Sequence, residues 1–201
     1  LHCDTLYECL MRSKSLYGND LQLSLERGLG NFPWIQCFAI WMPDEYRGEK
    51  ATDYFDRTYD TFKNEILLNS AYIMQCQNAG DFEKAEKEQK CGAILTVEGG
   101  SAAAGNIERI WYMAALGVKI MTLTWNGTNE IGDGANVKDG TGLTEFGKKA
   151  VAEMEYTGIV VDVSHASDAL FYDVASIAKK PFIATHSDSR TVCNHRRNLT
   201  D

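Results

Sequence analysis

The chain has 201 residues, and 20 Lys and Arg stand against 28 Asp and Glu, a net charge of −8. Hydrophobic residues make up 44% and charged residues 24%, a globular balance that excludes a mainly disordered chain. The acidic excess argues against non-specific nucleic-acid binding, which needs a basic surface. No run approaches the ~20 apolar residues of a membrane span.

The elements follow in chain order. Residues 5–15 read as a helix. Residues 34–42 (WIQCFAIWM) form the first long apolar run. The polar stretch 49–90 reads as one or two surface helices. Further apolar runs follow at 93–97 (AILTV), 118–125 (VKIMTLTW), 159–163 (IVVDV) and 181–185 (PFIAT). They are short and rich in β-branched residues, as buried parallel strands are. Helices are expected between them. Asn106 caps one, with Ile107, Ile110, Trp111 and Ala114 inward and Gly117 at its end. Thr144 caps the next, with Phe146, Ala150 and Met154 on one stripe and Gly158 as terminator. Ser167 caps a third, with Leu170, Val174 and Ile177 inward and Pro181 past its end.

Strand alternating with helix implies a parallel sheet with helices outside it. No GxGxxG or GxxxxGK[ST] loop follows a strand, so a (β/α) barrel is favoured over a nucleotide-binding sheet. The whole of 1–201 then reads as a single incomplete barrel domain of about six strands, since a complete one typically needs ~250 residues. The six cysteines (Cys3, Cys9, Cys37, Cys76, Cys91, Cys193) are scattered and form no CxxC pair. That pattern predicts reduced thiols and a cytoplasmic location, and no basic-then-apolar leader is visible.

In a barrel, reacting groups stand at the C-terminal ends of the strands. His2 and Asp4 are two residues apart, so in an extended segment both face one side and can act as a pair of metal ligands. Glu98 ends the 93–97 run, where a buried carboxylate needs a partner or a metal. His165 ends one apolar run and His186 another. Three of the four histidines therefore stand at strand ends, which points to a metal or catalytic site. Asp162 can support such a ligand from behind or sit as an ordinary buried acid. Five ligands, His2, Asp4, Glu98, His165 and His186, exceed one tetrahedral zinc and suit two metals bridged by a carboxylate. The basic loop 194–198 (NHRRN) offers guanidinium forks for a substrate carboxylate.

In order along the chain stand His2-Cys3-Asp4, Val97-Glu98-Gly99-Gly100, Met121-Thr122-Leu123-Thr124, Asp162-Val163-Ser164-His165, and His186-Ser187 followed by Arg196-Arg197-Asn198. With these five motifs the chain resembles the zinc dipeptidases of the renal (membrane) dipeptidase family, in a bacterial-type form present as a fragment. The resemblance implies a (β/α)8 barrel with two zinc ions. His2 and Asp4 then bind one zinc, His165 and His186 the other, and Glu98 bridges. A bridging water or hydroxide attacks the peptide carbonyl of a dipeptide, with Glu98 and Asp4 in the catalytic set. Arg197 matches the position that binds the substrate's C-terminal carboxylate, and the renal-type relatives suggest a homodimer.

Two features depart from the family. Renal-type members carry a His after the LTLT strand, where Trp125 and then Asn126 stand here. An indole N–H donates one hydrogen bond but takes up no proton, so Trp125 and Asn126 become candidate substrate contacts. The family's further acid/base Asp lies on a later strand, and Asp201 is not that residue. Two other readings stay open: a related binuclear amidohydrolase acting on another amide or ester, and an inactive binding protein on the same scaffold.

Overall fold

A computed structural model describes residues 2–31 and 33–201. Leu1, which the sequence places at the end of the first strand, lies outside the described residues. The chain divides into two compact units, Leu1–Trp41 with Asp53–Thr96, and Met42–Thr52 with Val97–Asp201.

The first unit carries β1 (His2–Cys3), α1 (Thr5–Arg12), α2 (Leu25–Gly28) and β2 (Ile35–Trp41). It continues with most of α3 (Gly48–Leu68), β3 (Ile73–Gln75), α4 (Ala79–Lys87) and the larger part of β4 (Cys91–Glu98). β1 lies parallel to β2, with His2 opposite Cys37 and Cys3 opposite Phe38. β3 lies parallel to β4, with Ile73 opposite Cys91. β2 is buried along Gln36–Ile40, as expected of a parallel strand covered on both faces.

Two expectations change in this unit. The stretch 49–90 is two helices, but β3 stands between them. Three apolar-flanked residues among charged neighbours give too short a run to register as a strand. Nor does α3 lie only on the surface. It buries Ala51, Tyr54, Phe55, Thr58 and Phe62, and Phe62 packs 6.2 Å from Phe38 of β2. Its polar face dominates the composition, while a single apolar stripe seats it.

The second unit holds the end of β4, a 3₁₀ turn at Gly100–Ala103, α5 (Ile107–Ala115) and β5 (Val118–Thr122). α6 (Glu145–Thr157), β6 (Val160–Asp162) and α7 (Asp168–Ile177) follow. β5 and β6 are parallel, with Thr122 opposite Asp162. The three expected caps form: Asn106 accepts from Glu108 N–H, Thr144 from Gly147 N–H and Ser167 from Leu170 N–H. Gly158 ends α6 in the left-handed region at φ 81°, where a side chain would be strained.

The 181–185 run differs from expectation. It pairs beside β6 through Ile183 alone, whose N–H donates to Val161 O and whose carbonyl accepts from Val163 N–H. Pro181 has no N–H to extend the ladder. Trp111, expected inward on α5, is 46% exposed and donates to Glu153 through its indole, while Ile110 and Met113 fill the core. All six cysteines are free thiols. Burial pushes Cys3 and Cys76 up to about 11 and Cys9 and Cys91 up to about 12. Among the described residues, no helix is long and apolar enough to cross a membrane.

Candidate metal centre

In the first unit, His2 Nε2 stands 3.2 Å from Asp4 Oδ1. Asp4 occupies the N-cap position of α1, yet its side chain makes no cap hydrogen bond. A capping Asp normally accepts from the backbone N–H two or three residues on. Here the carboxylate turns to the imidazole instead, as the i, i+2 spacing predicts. A cavity of about 420 Å³ opens at this pair, lined also by Tyr7, Glu8 and Gln36.

In the second unit, Glu98 is the last residue of β4 and 3% exposed. Its exit needs the two glycines that follow. Gly99 takes φ 106°, and a Cβ on Gly100 would stand 2.6 Å from Leu123 O. The carboxylate is thereby held under the chain rather than released into a solvated loop. Glu98 Oε1 lies 2.9 Å from His165 Nε2 and 3.2 Å from His186 Nε2. The two Nε2 atoms are 3.0 Å apart. Three donor atoms from three separate chain segments thus converge.

Each ring is oriented from behind. His165 Nδ1 lies 3.0 Å from Asn126 Oδ1, which only accepts, so Nδ1 carries the proton and Nε2 the lone pair. His186 Nδ1 lies 2.8 Å from Thr185 Oγ1. With both Nδ1 atoms protonated, two imidazole lone pairs and a carboxylate oxygen stand within 3.2 Å of one another. Such a set repels itself unless a cation shares it, and it is the donor set that divalent metals take. The residues present therefore fit a metal.

His165 sits at φ 67°, a left-handed backbone that costs a non-glycine residue on the order of 1–3 kcal/mol and clusters at functional sites. Its carbonyl accepts from Ala135 N–H at 2.7 Å, which ties it to the loop between β5 and α6. That loop crosses itself closely. A Cβ on Gly134 would meet Trp125 O at 2.2 Å, so only glycine lets Trp125 and Asn126 stand where they do. Burial lowers the pKa of His165, although Glu98 works in the opposite direction. The imidazole is thereby favoured as neutral, its metal-binding form.

Of the two arginines in the basic loop, Arg196 is exposed and donates to Asn136 O. Arg197 is half-buried and donates to His186 O at 3.3 Å and Ser187 Oγ at 3.4 Å. Burial works against its charge, while Glu98 and Asp162 support it. Trp125 presents its ring 6.3 Å from the His165 ring. Asp162 is 1% exposed and lies behind the metal donors. Asp44, three residues past β2, escaped the sequence reading. Burial raises its pKa, and it accepts from Gly127 N–H beside Trp125 and Asn126. Its only signal was an acid just after an apolar strand.

The whole of residues 1–201 matches the family described as membrane dipeptidase, peptidase family M19. The chain belongs to this family. Dipeptidase 3 of Mus musculus is 33% identical over 119 residues, covering 56% of this chain and 24% of that protein. Among solved structures, the metallopeptidase dipeptidase AC of family M19 superposes with TM-score 0.91 at 25% identity, covering 99% of this chain and 65% of that one. A metallopeptidase of Rhodobacter sphaeroides, liganded with a phosphinate mimic of the dipeptide L-Ala-D-Ala, superposes with TM-score 0.90 at 23% identity, covering 99% and 67%. The chain spans about half the length of the curated relatives it matches. The expected architecture holds: an α/β fold with a parallel sheet, of the barrel type that M19 dipeptidases share.

Proposed function

We propose that the protein carrying this chain is a binuclear, metal-dependent dipeptidase. The observation that carries the reading is the convergence of Glu98 Oε1, His165 Nε2 and His186 Nε2 within 3.2 Å. Membership of the M19 family supports it. In this reading His165, His186 and Glu98 would hold zinc, and His2 and Asp4 would supply the further ligands that the family resemblance implies. Bound there, divalent ions would supply Lewis acidity towards a carbonyl and lower the pKa of water.

The chain's own residues do the rest. Asn126 and Thr185 fix the imidazole orientations. Arg197 receives the substrate's C-terminal carboxylate with a guanidinium fork, which matches two oxygens at once. Trp125 walls one side of the centre, its ring 6.3 Å from that of His165. Because the indole cannot take up a proton, Trp125 favours a second reading, in which the same centre cleaves another amide or ester.

Metal analysis together with turnover of a dipeptide panel, on wild type and Glu98→Ala, tests this. The panel includes dipeptides with a D-residue at the C-terminal side, acyl amino acids and lactones. Wild type is expected to hold two metal ions and cleave dipeptides, and Glu98→Ala to lose both properties. A metal-free wild type, or Glu98→Ala with full activity, refutes the dipeptidase. Turnover of acyl amino acids or lactones alone selects the second reading.

A further inference from the structure

Asp162 closes β6 and is almost fully buried. It accepts four hydrogen bonds. Ser164 N–H donates to Oδ1 at 2.9 Å and Thr185 N–H at 3.1 Å. Thr122 Oγ1 donates to Oδ2 at 2.7 Å and Thr185 Oγ1 at 2.6 Å. A threonine hydroxyl has one proton. In Thr185 that proton is committed to the carboxylate, so what faces His186 Nδ1 at 2.8 Å is an oxygen lone pair. The imidazole must answer with Nδ1–H, so in the neutral ring that a metal binds the lone pair stands on Nε2, 3.2 Å from Glu98 Oε1. Ser164 completes the arrangement, because its Oγ accepts from His186 N–H at 3.0 Å.

We infer that Thr185 is a positioning residue for His186. The buried carboxylate of Asp162 orients the Thr185 hydroxyl, and the hydroxyl sets the His186 tautomer that a metal requires. The two histidines are thus prepared by different means. His165 leans on a neutral amide, Asn126, whereas His186 leans on a hydroxyl polarised by an anion. Partners of this kind fix ring orientation and raise ligand basicity, and losing one typically weakens metal binding ~10–100-fold.

The structure contains its own control. Thr122 and Thr185 donate to the same carboxylate oxygen, but only Thr185 also touches the imidazole. A purely structural role for the hydroxyls predicts that Thr122→Val and Thr185→Val behave alike. The positioning role predicts that they differ.

The inference rests on reading His186 as a metal ligand, so the test has one arm without metal. In the first arm, the full-length protein is labelled with ¹⁵N-histidine and its imidazole nitrogens are observed after metal removal. Wild type and Thr122→Val are expected to show His186 protonated on Nδ1. Thr185→Val is expected to lose that preference, and Thr185→Ser to keep it. In the second arm, zinc affinity is measured by competition with a chelator. Thr185→Val is expected to bind roughly 10–100-fold more weakly, with Thr185→Ser and Thr122→Val within a few-fold of wild type. His186 protonated on Nε2 in wild type, or an equal loss of affinity in Thr122→Val and Thr185→Val, overturns the inference. A wild type that binds no zinc overturns the dipeptidase reading instead and leaves the tautomer result standing by itself.

Discussion

Replacing Glu98 by Gln separates the two things a buried carboxylate does at this centre. The side chain is 3% exposed, and its Oε1 lies 2.9 and 3.2 Å from two imidazole nitrogens that the second unit presents as acceptors. An amide of the same shape can turn its NH2 towards those nitrogens. Metal-free Glu98→Gln is therefore expected to match or exceed metal-free wild type in stability, by about 1 kcal/mol for one added hydrogen bond. With metal the order reverses. A ligand that binds only the folded state at 1,000 times its Kd stabilises by about 4 kcal/mol. At ~2–4 °C per kcal/mol for a chain of this size, that raises Tm by roughly 8–16 °C. Thermal unfolding of both proteins is recorded in chelator and again in excess zinc. Wild type is expected to show the full shift and Glu98→Gln little of it. A Glu98→Gln protein that keeps the shift, or that falls several kcal/mol below wild type in chelator, would refute the argument that three acceptors here await a cation.

Three more predictions follow from particular side chains. Arg197→Lys replaces a fork by a point charge, so KM for dipeptides should rise ~10-fold or more with a smaller change in kcat; an unchanged KM, measured by initial rates, removes Arg197 as the carboxylate clamp. Asp168 is held below its usual pKa, first by the hydrogen bond from Arg190 and then by its charge, against a burial effect in the other direction. Because the folded pKa is the lower one, the ion pair's contribution is present above the unfolded value of ~3.9 and fades as pH falls through the folded value. Half exposure limits the contribution to about 1 kcal/mol, so urea unfolding of Asp168→Asn should trail wild type slightly at pH 6 and converge with it once the pH falls below the folded value. A native thiol titration should lose one fast-reacting group in Cys193→Ser, since Cys193 is exposed while four others carry pKa values of about 11 to 12. An unchanged fast phase would show that a buried cysteine is reactive.

Much of the site was legible because strand ends announce themselves. Glu98 and Asp162 each follow a valine directly and His165 stands two residues after Val163, and that switch in chemistry marks where a buried strand reaches the surface of a sheet. The caps at Asn106, Thr144 and Ser167 were equally readable, because capping is a local hydrogen bond over three residues. The misreadings came from longer range. β3 is three residues long and exists because β4 offers it a parallel edge. The 181–185 run looks like a strand but pairs through one residue. Trp111 belongs to the apolar stripe by spacing, yet a partner on α6 draws its indole outward.

The sequence by itself determined the alternating α/β pattern, the family and the residue types able to ligate a metal, since all three rest on local order and spacing. Tertiary structure decided their use. The basic loop holds adjacent arginines of the same composition, and only packing made Arg197 half-buried beside His186 while Arg196 reached Asn136. Asp162 could have been any buried acid until β5, β6 and the 181–185 segment brought four donors onto it. Which nitrogen of a histidine keeps its lone pair depends on what stands behind the ring, and Asn126 is 39 residues away from His165 along the chain. Spacing encodes which groups are available; the orientation of a proton is set by contacts that only the folded chain makes.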